Sequence, residues 1–479
     1  MDKKIKSKLK EIVGQNNFFD SNEDKLTYSY DATPVFNELP EAVIFPENTL
    51  QISNIIKLAN TEKFNIVPRG AGTGLSGGSI PVENSIALVM TKWNNILEID
   101  HSNLTVTVEP GVITQNLQNE VEKLNLFYPP DPGSASVCTI GGNISNNAGG
   151  LRGLKYGVTK NYVMGVEMVL PNGEILKTGG KNVKDAAGYN LKDFIVGSEG
   201  TLGVITKATL KLIHKPKSFS TIIAFFESMK DCSKTISDIF NCNLTPAMME
   251  YIDNTTLKCI EDYAKLGLPK AAEAVLLFEF DGREEEVKED TNNLEMILNN
   301  NNAYSVKKAK TLLESSKLKA ARRSAFSALA RVKPTTILED ATVPRAEFPM
   351  LIELVNKAGK DNKVLFGIFG HAGDGNLHPT CLTDERNKNE IERAHKAFDF
   401  IFNETIKLGG TITGEHGTGL SKKEFLENVA GIPGVEMMKK IKSVIDENNI
   451  LNPGKIFTTS PRCEGNLPFN NKQIKPFNG

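Results

Sequence analysis

The amino-acid sequence predicts an α+β protein, and three observations along the chain predict it. From Ala42 to about Lys217, short β-rich runs alternate with helical ones, the pattern of a mixed sheet flanked by helices. From Ser218 to about Gly409 the helices lengthen and only a few strong strand patterns stand between them, which suits a second, helix-richer α+β layer. Lys215-Pro216-Lys217 breaks the chain between the two patterns. The expected organisation is a helical lead-in at 1–37, a first domain at 38–217, a second at 218–410 and a closing segment at 411–479.

The first ten residues are basic, but Glu11-Ile12-Val13-Gly14-Gln15-Asn16 follows with no apolar run, so they read as a surface helix and not as a signal peptide. Helical spacing over 50–59 precedes a strand pattern over 64–67, and further strands are expected at 85–90, 104–108, 163–170 and 203–212. Pro171-Asn172-Gly173 is a hairpin turn signal. In the second half, 284–299 and 307–329 read as long helices, with strands at 275–280 and 364–369. No window approaches 18 apolar residues, so no segment is expected to span a bilayer. The formal net charge of −2 leaves no basic excess to neutralise phosphates, which argues against nucleic acid as a partner. Six cysteines include no Cys-x-x-Cys pair, so an iron–sulfur cluster held by this chain is not expected. Without a signal peptide they read as reduced thiols of a cytoplasmic protein, at most peripheral to a membrane.

Three clusters rich in glycine and small polar residues punctuate the first domain. Pro68-Arg69-Gly70-Ala71-Gly72-Thr73-Gly74-Leu75-Ser76-Gly77-Gly78 follows a strand pattern, and its glycines let backbone N–H groups close on a pyrophosphate. The Gly72-x-Gly74-x-x-Gly77 string matches a Rossmann loop by accident, because a turn into another strand follows it where a Rossmann loop would open a helix. The second cluster runs from Pro132-Gly133-Ser134 through Gly141-Gly142-Asn143-Ile144-Ser145-Asn146-Asn147-Ala148-Gly149-Gly150 to Tyr156-Gly157. The third, Glu199-Gly200-Thr201-Leu202-Gly203-Val204-Ile205, ends in a strand pattern. Three such loops can line one extended cleft with many donors and little bulk, and a long dinucleotide fits it.

The last quarter holds a different chemistry. Gly370-His371-Ala372-Gly373-Asp374-Gly375-Asn376-Leu377-His378 is echoed by Gly414-Glu415-His416-Gly417-Thr418-Gly419. Two glycine-rich loops thus carry three of the six histidines and a carboxylate, a ligand set that suits zinc, iron or manganese. No Glu follows His371 and glycines interrupt the run to His378, so a helical His-Glu-x-x-His hydrolase site is excluded. His101, His214 and His395 each stand alone and read as ordinary structural residues.

The three glycine clusters, in this order and spacing, resemble the FAD-binding domain of the vanillyl-alcohol oxidase/p-cresol methylhydroxylase family over roughly residues 38–458. The whole chain resembles one branch of it, the FAD-linked D-2-hydroxyacid dehydrogenases that include D-lactate dehydrogenase and the glycolate oxidase catalytic subunit. The resemblance implies a two-subdomain FAD-binding domain, an α+β cap domain over the substrate, and a closing segment that returns to the flavin domain at Asn452-Pro453-Gly454-Lys455. It implies that the first two clusters wrap the pyrophosphate and that Val204-Ile205 lies along the flavin. Residues 69–78 and 133–160 contain no histidine, so the FAD is expected to be noncovalent. By the same resemblance His371, His378 and Glu415 are ligands of one divalent metal, and His416 beside them is the general base, since an ordinary imidazole titrates near neutrality. Arg322, on a helix resembling the family's arginine-bearing one, aligns with the arginine that grips the substrate carboxylate. Lys319 stands where the family commonly has a tryptophan. Asn376 is expected to donate to the substrate carboxylate or hydroxyl, Asn452 and Lys455 to orient the flavin edge or the acceptor side, and Phe326 to close the pocket against a longer diacid.

The implied activity is oxidation of D-lactate or glycolate to the 2-oxoacid, with hydride passing to flavin N5. The alternatives are a D-2-hydroxyglutarate dehydrogenase or a non-redox enzyme like alkylglycerone-phosphate synthase. Since no second redox motif is present, the electrons are expected to leave through a protein partner, an electron-transferring flavoprotein or an iron–sulfur subunit.

Overall fold

The computed structural model of the chain describes residues 1–34 and 36–457. In the first half, Ala42–Ile44, Ser85–Val89 and Asn65–Arg69 form a parallel sheet, with the short Phe18–Phe19 antiparallel at its edge. Such runs of aliphatic residues need cover on both faces. Helices Lys3–Val13 and Thr49–Glu62 supply part of it, burying Leu9, Val13, Ile52, Ile55, Ile56 and Ala59 against the strands. The second helix starts where the Asn48 side chain accepts from Gln51 N at 3.0 Å.

A second sheet, wholly antiparallel, runs in the order Ile96–Asp100, Thr105–Val108, Val204–Lys211, Val163–Val169, Ile175–Gly179. Pro171-Asn172-Gly173 makes the expected hairpin turn, with Gly173 at φ +85°. The second glycine cluster differs from expectation: Ile140–Asn146 is a short helix and not a loop. Thr139 Oγ1 accepts from Gly142 N at 3.3 Å to start it, and Asn147, at φ +52°, ends it.

From Ser218 onward one antiparallel sheet dominates. Its order is Ser305–Lys308, Ser218–Phe226, Ala274–Gly282, Met248–Asp253, Leu365–His371, Asn376–Thr383, Thr335–Leu338, with Ala341–Thr342 also pairing the sixth. Helices Met229–Asn241, Glu284–Asn300, Phe348–Asn362 and Lys388–Lys407 bury one face. The opposite face packs on Asn254–Ala264, Leu312–Arg323 and Ala325–Leu329, and on Leu151 from the first half. The single helix expected over 307–329 is three pieces. Residues 305–308 pair with the sheet edge instead, Thr311 Oγ1 caps a new helix by accepting from Glu314 N at 3.1 Å, and Ser324 interrupts it. Tertiary pairing has overridden a local helical pattern.

The chain then returns to the first sheet. Ile66 N donates to Ile450 O at 2.8 Å and Asn452 N to Ile66 O at 2.8 Å, so residues 450–452 run beside Asn65–Arg69. Buried Lys442 holds this return by donating to Thr201 O and Leu451 O, each at 2.8 Å. Among the described residues the five cysteines are unpaired, and no helix is long and apolar enough to cross a membrane. Cys463 and the end of the closing segment lie outside the described residues.

Candidate active site

One cavity of about 1080 Å³ lies between the halves, its lining running from Arg69–Leu75 and Gly141–Asn146, past Gly203-Val204-Ile205, to Arg322, His371, His378, Glu415 and His416. A volume at the upper end for small-molecule sites suits a dinucleotide with room for a small substrate. The three glycine clusters therefore share one chamber with the histidines.

The two outer histidines of the first histidine motif sit on strands, where a glycine loop was expected. Leu365–His371 and Asn376–Thr383 form a hairpin in register His371↔Asn376 and Phe369↔His378. Side chains two apart on a strand share a face, so His371 and His378 are diagonal neighbours on the face toward the cavity. Their ring centroids are 5.0 Å apart. His371 Nε2, His378 Nε2 and Glu415 Oε1 form a triangle whose three edges are each 3.3 Å. A tetrahedral ion with ligand bonds of about 2.0–2.1 Å sets neighbouring ligand atoms roughly 3.3–3.4 Å apart. The triangle is the right size.

Glu250 explains why His371 points its Nε2 there. This fully buried carboxylate sits opposite His371 on the neighbouring strand, and its Oε1 lies 2.7 Å from His371 Nδ1. A carboxylate accepts, so Nδ1 carries a proton. Burial pulls the imidazole down, but Glu250 and Glu415 outweigh it and hold His371 well above its ordinary range, so an ion at Nε2 would take the place of a proton there. The other oxygen, Oε2, lies 2.5 Å from Arg322 Nη2. Burial pushes the Glu250 carboxyl up, but Arg322 and His371 outweigh it and hold the carboxyl below its ordinary range. Arg322 lines the cavity over the Phe369 ring, 4.7 Å from its centroid, and its Nε and Nη2 make no well-aligned hydrogen bond.

Glu415 and His416 come from the loop 413–417, and Asp340 shapes that loop. Asp340 Oδ2 accepts from Thr413 Oγ1 at 2.9 Å, Gly414 N at 2.8 Å, Glu415 N at 3.0 Å and His416 N at 3.1 Å. From the flavin side, Ser76 Oγ and Asn146 Nδ2 donate to His416 O at 2.8 and 3.3 Å. The His416 ring stacks on His378 at 5.2 Å and 12°. Burial pulls His416 down to about 4 from an ordinary 6.5, despite the opposing pull of Asp340. Burial pushes Glu415 up, but His371 dominates and holds its carboxyl well below the usual range.

Of the expected flavin residues, Pro68 to Leu75, Pro132, Gly133, Ser134, Gly141, Gly142, Asn143, Ser145, Glu199, Gly203, Val204 and Ile205 line the chamber. Others stand behind it. Ser76 holds His416, Asn147 ends the short helix, and Tyr156 donates its hydroxyl to Asp281 at 2.8 Å. Gly149 is needed for close approach, since a Cβ there would lie 2.7 Å from Glu415 Oε2; Gly150 packs on Asp131 O and Gly157 on Asn161. Asn452 donates to Gly78 O and Glu199 O at 2.8 and 2.7 Å, and Lys455 to Gly77 O and Ile80 O at 3.0 and 2.6 Å, so both brace the first cluster and neither reaches the chamber. Asn376 is likewise set back, its amide packed beneath Gly414. Lys319 is drawn to Glu279, and Arg323 donates to Asp131 at 2.7 Å.

Glu250 and Asp340 escaped the sequence reading, as did Tyr28 and Asp31 in the lining. A carboxylate inside an apolar strand pattern, as in Met248-Met249-Glu250-Tyr251, is the signal that could have found Glu250.

Comparison with known proteins agrees with this architecture. A family described as FAD binding domain matches residues 40–179, and one described as FAD linked oxidases, C-terminal domain, matches 215–456. A glycolate oxidase subunit GlcD of Bacillus subtilis is 52% identical over 460 residues, covering 96% of this chain and 98% of its own. A D-lactate dehydrogenase of Anaerostipes hadrus is 34% identical over 446 residues, covering 91% and 93%. Among solved structures, p-cresol methylhydroxylase with substrate bound superposes with TM-score 0.79 at 18% identity, over 95% of this chain and 96% of that one. Alkyldihydroxyacetonephosphate synthase gives 0.74 at 19%, over 95% and 86%. These two show the fold alone. Fold and matched domains together define an FAD-dependent oxidoreductase. The chain belongs to the FAD-linked glycolate oxidase/D-lactate dehydrogenase family.

Proposed function

We propose that this protein oxidises a small D-2-hydroxyacid, glycolate or D-lactate, to the 2-oxoacid, using noncovalent FAD and one divalent metal. The observation that carries the proposal is the single chamber joining the glycine clusters to the triangle of His371, His378 and Glu415. When bound, FAD supplies the hydride acceptor and a divalent ion acidifies a coordinated hydroxyl. The residues fit both: small side chains line the flavin end, and three ligand atoms converge at the separations a tetrahedral ion sets. Arg322 presents its guanidinium to the substrate carboxylate, Glu250 holding it in place. His416, neutral and beside Glu415, takes the hydroxyl proton at Nε2. His371, held by Glu250 at Nδ1, would release its Nε2 proton on taking the ion.

A small monoacid is favoured because the two cations next to Arg322 on its helix are engaged by protein carboxylates, Arg323 by Asp131 and Lys319 by Glu279. Phe326 lines the same end. Reoxidation by a protein partner, such as an electron-transferring flavoprotein, is part of the proposal; air reoxidation as fast as turnover would contradict it. Anaerobic mixing of the yellow protein with glycolate and with both lactate enantiomers tests the rest. We expect bleaching by glycolate and D-lactate, abolished by a chelator and restored by a divalent metal. Bleaching that survives complete metal removal, or none with any 2-hydroxyacid, sinks the reading.

A further inference from the structure

Asp340 is fully buried, and its two oxygens have different surroundings. Oδ2 gathers four donors from the 413–416 loop. Oδ1 accepts no hydrogen bond, and 3.9 Å away lies His378 Nδ1, also buried and without a partner. A third such atom, His416 Nδ1, lies 3.9 Å from Oδ2. The two imidazoles are stacked nearly parallel, so both Nδ1 atoms face this carboxylate while both Nε2 atoms face Glu415 Oε1, at 3.3 and 3.8 Å. Lys422 donates to Asp340 O at 3.2 Å and pairs with Glu339.

We propose that Asp340 is a positioning residue that sets both rings at once. Its negative charge behind the rings favours the proton on Nδ1 of His378 and of His416, which leaves a lone pair on each Nε2, one toward the metal triangle and one toward the substrate. This rests on the reading above that the triangle holds a cation and that His416 is the base. Separations of 3.9 Å exceed a direct hydrogen bond, so the carboxylate acts on the rings through its charge in a buried setting. Without a carboxylate behind it, His378 could place its proton on Nε2 and present a donor to the ion, which removes a ligand. Carboxylates behind metal-bound histidines serve this purpose generally, and Glu250 does the same for His371. One acid thus orients two rings and shapes the loop carrying the third ligand. The same atoms could in principle take a second cation, since Asp340, His378 and His416 each offer a ligand atom within 4.8 Å of the others. Oδ2 is already surrounded by donors, however, and His378 could serve two ions only by losing both ring protons.

Asp340→Asn in the full-length holoprotein separates the roles. The four loop donors hold the amide oxygen on their side, so the amide nitrogen faces His378 and donates to Nδ1, forcing the proton onto Nε2. We expect FAD content and melting temperature near wild type, but resistance of the bound metal to dipicolinate, read by elemental analysis, lowered about tenfold or more. Thr413→Val removes one loop donor and leaves the Oδ1 side intact; it should leave metal retention unchanged. The proposal is overturned if Asp340→Asn keeps its metal as wild type does, or if Thr413→Val loses it equally. It is also overturned if wild type binds two ions per chain and Asp340→Asn one. Wild-type protein that binds no divalent ion overturns the underlying reading as well, and so tells the two failures apart.

Discussion

A histidine becomes a ligand or a base according to what touches its far nitrogen, and for His371 that group is the Glu250 carboxylate. His371→Ala is expected to remove the bound metal and to slow substrate-driven bleaching by about 100-fold or more, because a direct ligand should cost more than an outer partner; elemental analysis and anaerobic absorbance read both. The histidines were legible in the sequence because they stand among glycines, which pack little and rarely surround a structural histidine. Glu250 and Asp340 were not, because each is one acid inside a strand pattern, and only the fold shows which cations it meets. A second residue-scale expectation concerns Glu199, whose carboxylate accepts from Thr418 N and Gly419 N at 2.7 and 2.8 Å. Burial pushes it up to about 7 from an ordinary 4.5, against those donors. Between these values the folded chain keeps a proton that the unfolded chain has lost. Stability is therefore fully present below the lower value and is lost as pH rises through the upper one, by up to about 3 kcal/mol. Glu199→Gln should flatten the fall in melting temperature between pH 5 and 7 (roughly that window); an identical slope in both proteins would refute the assignment.

At the level of elements, the hairpin Leu365–His371/Asn376–Thr383 does the positioning, and its turn has one indispensable residue. Gly375 adopts φ +82°, and a Cβ there would come within 2.1 Å of Val343 O. Gly375→Ala should destabilise the protein by about 2 kcal/mol or more, the left-handed conformation alone costing roughly 1–2. Thermal unfolding would show it, and metal content should fall with it because both histidines flank the turn. The sequence revealed the residues of this element but not its geometry. Glycine spacing looks the same in a loop and in a hairpin turn, and pairing with Met248–Asp253 and Thr335–Leu338 is what makes the flanks strands. The helix Ile140–Asn146 was missed for the same reason: two glycines disfavour a helix locally, and Thr139 with the surrounding packing overrides them.

Across the whole molecule, the layers were readable from the change in hydrophobic period near residue 217, while the shared chamber was not, because it depends on contacts between distant segments. Asp131–Arg323, Lys155–Asp281 and Tyr156–Asp281 all bind the first half to the cap. The closing segment adds Asn452, which joins Gly78 O to Glu199 O from behind the chamber. Asn452→Ala would strand two buried carbonyls at about 1–3 kcal/mol each. We expect faster FAD release on dilution with the metal site intact; unchanged FAD retention would contradict this bracing role.

The triangle draws two corners from the cap hairpin and one from a loop whose far end, Thr418 and Gly419, is bonded to Glu199 on the flavin wall. An ion seated there would act as a rivet through three separate parts of the chain. Stripping it would then loosen the grip on the dinucleotide as well as halt the chemistry, so chelation and flavin leakage should rise together.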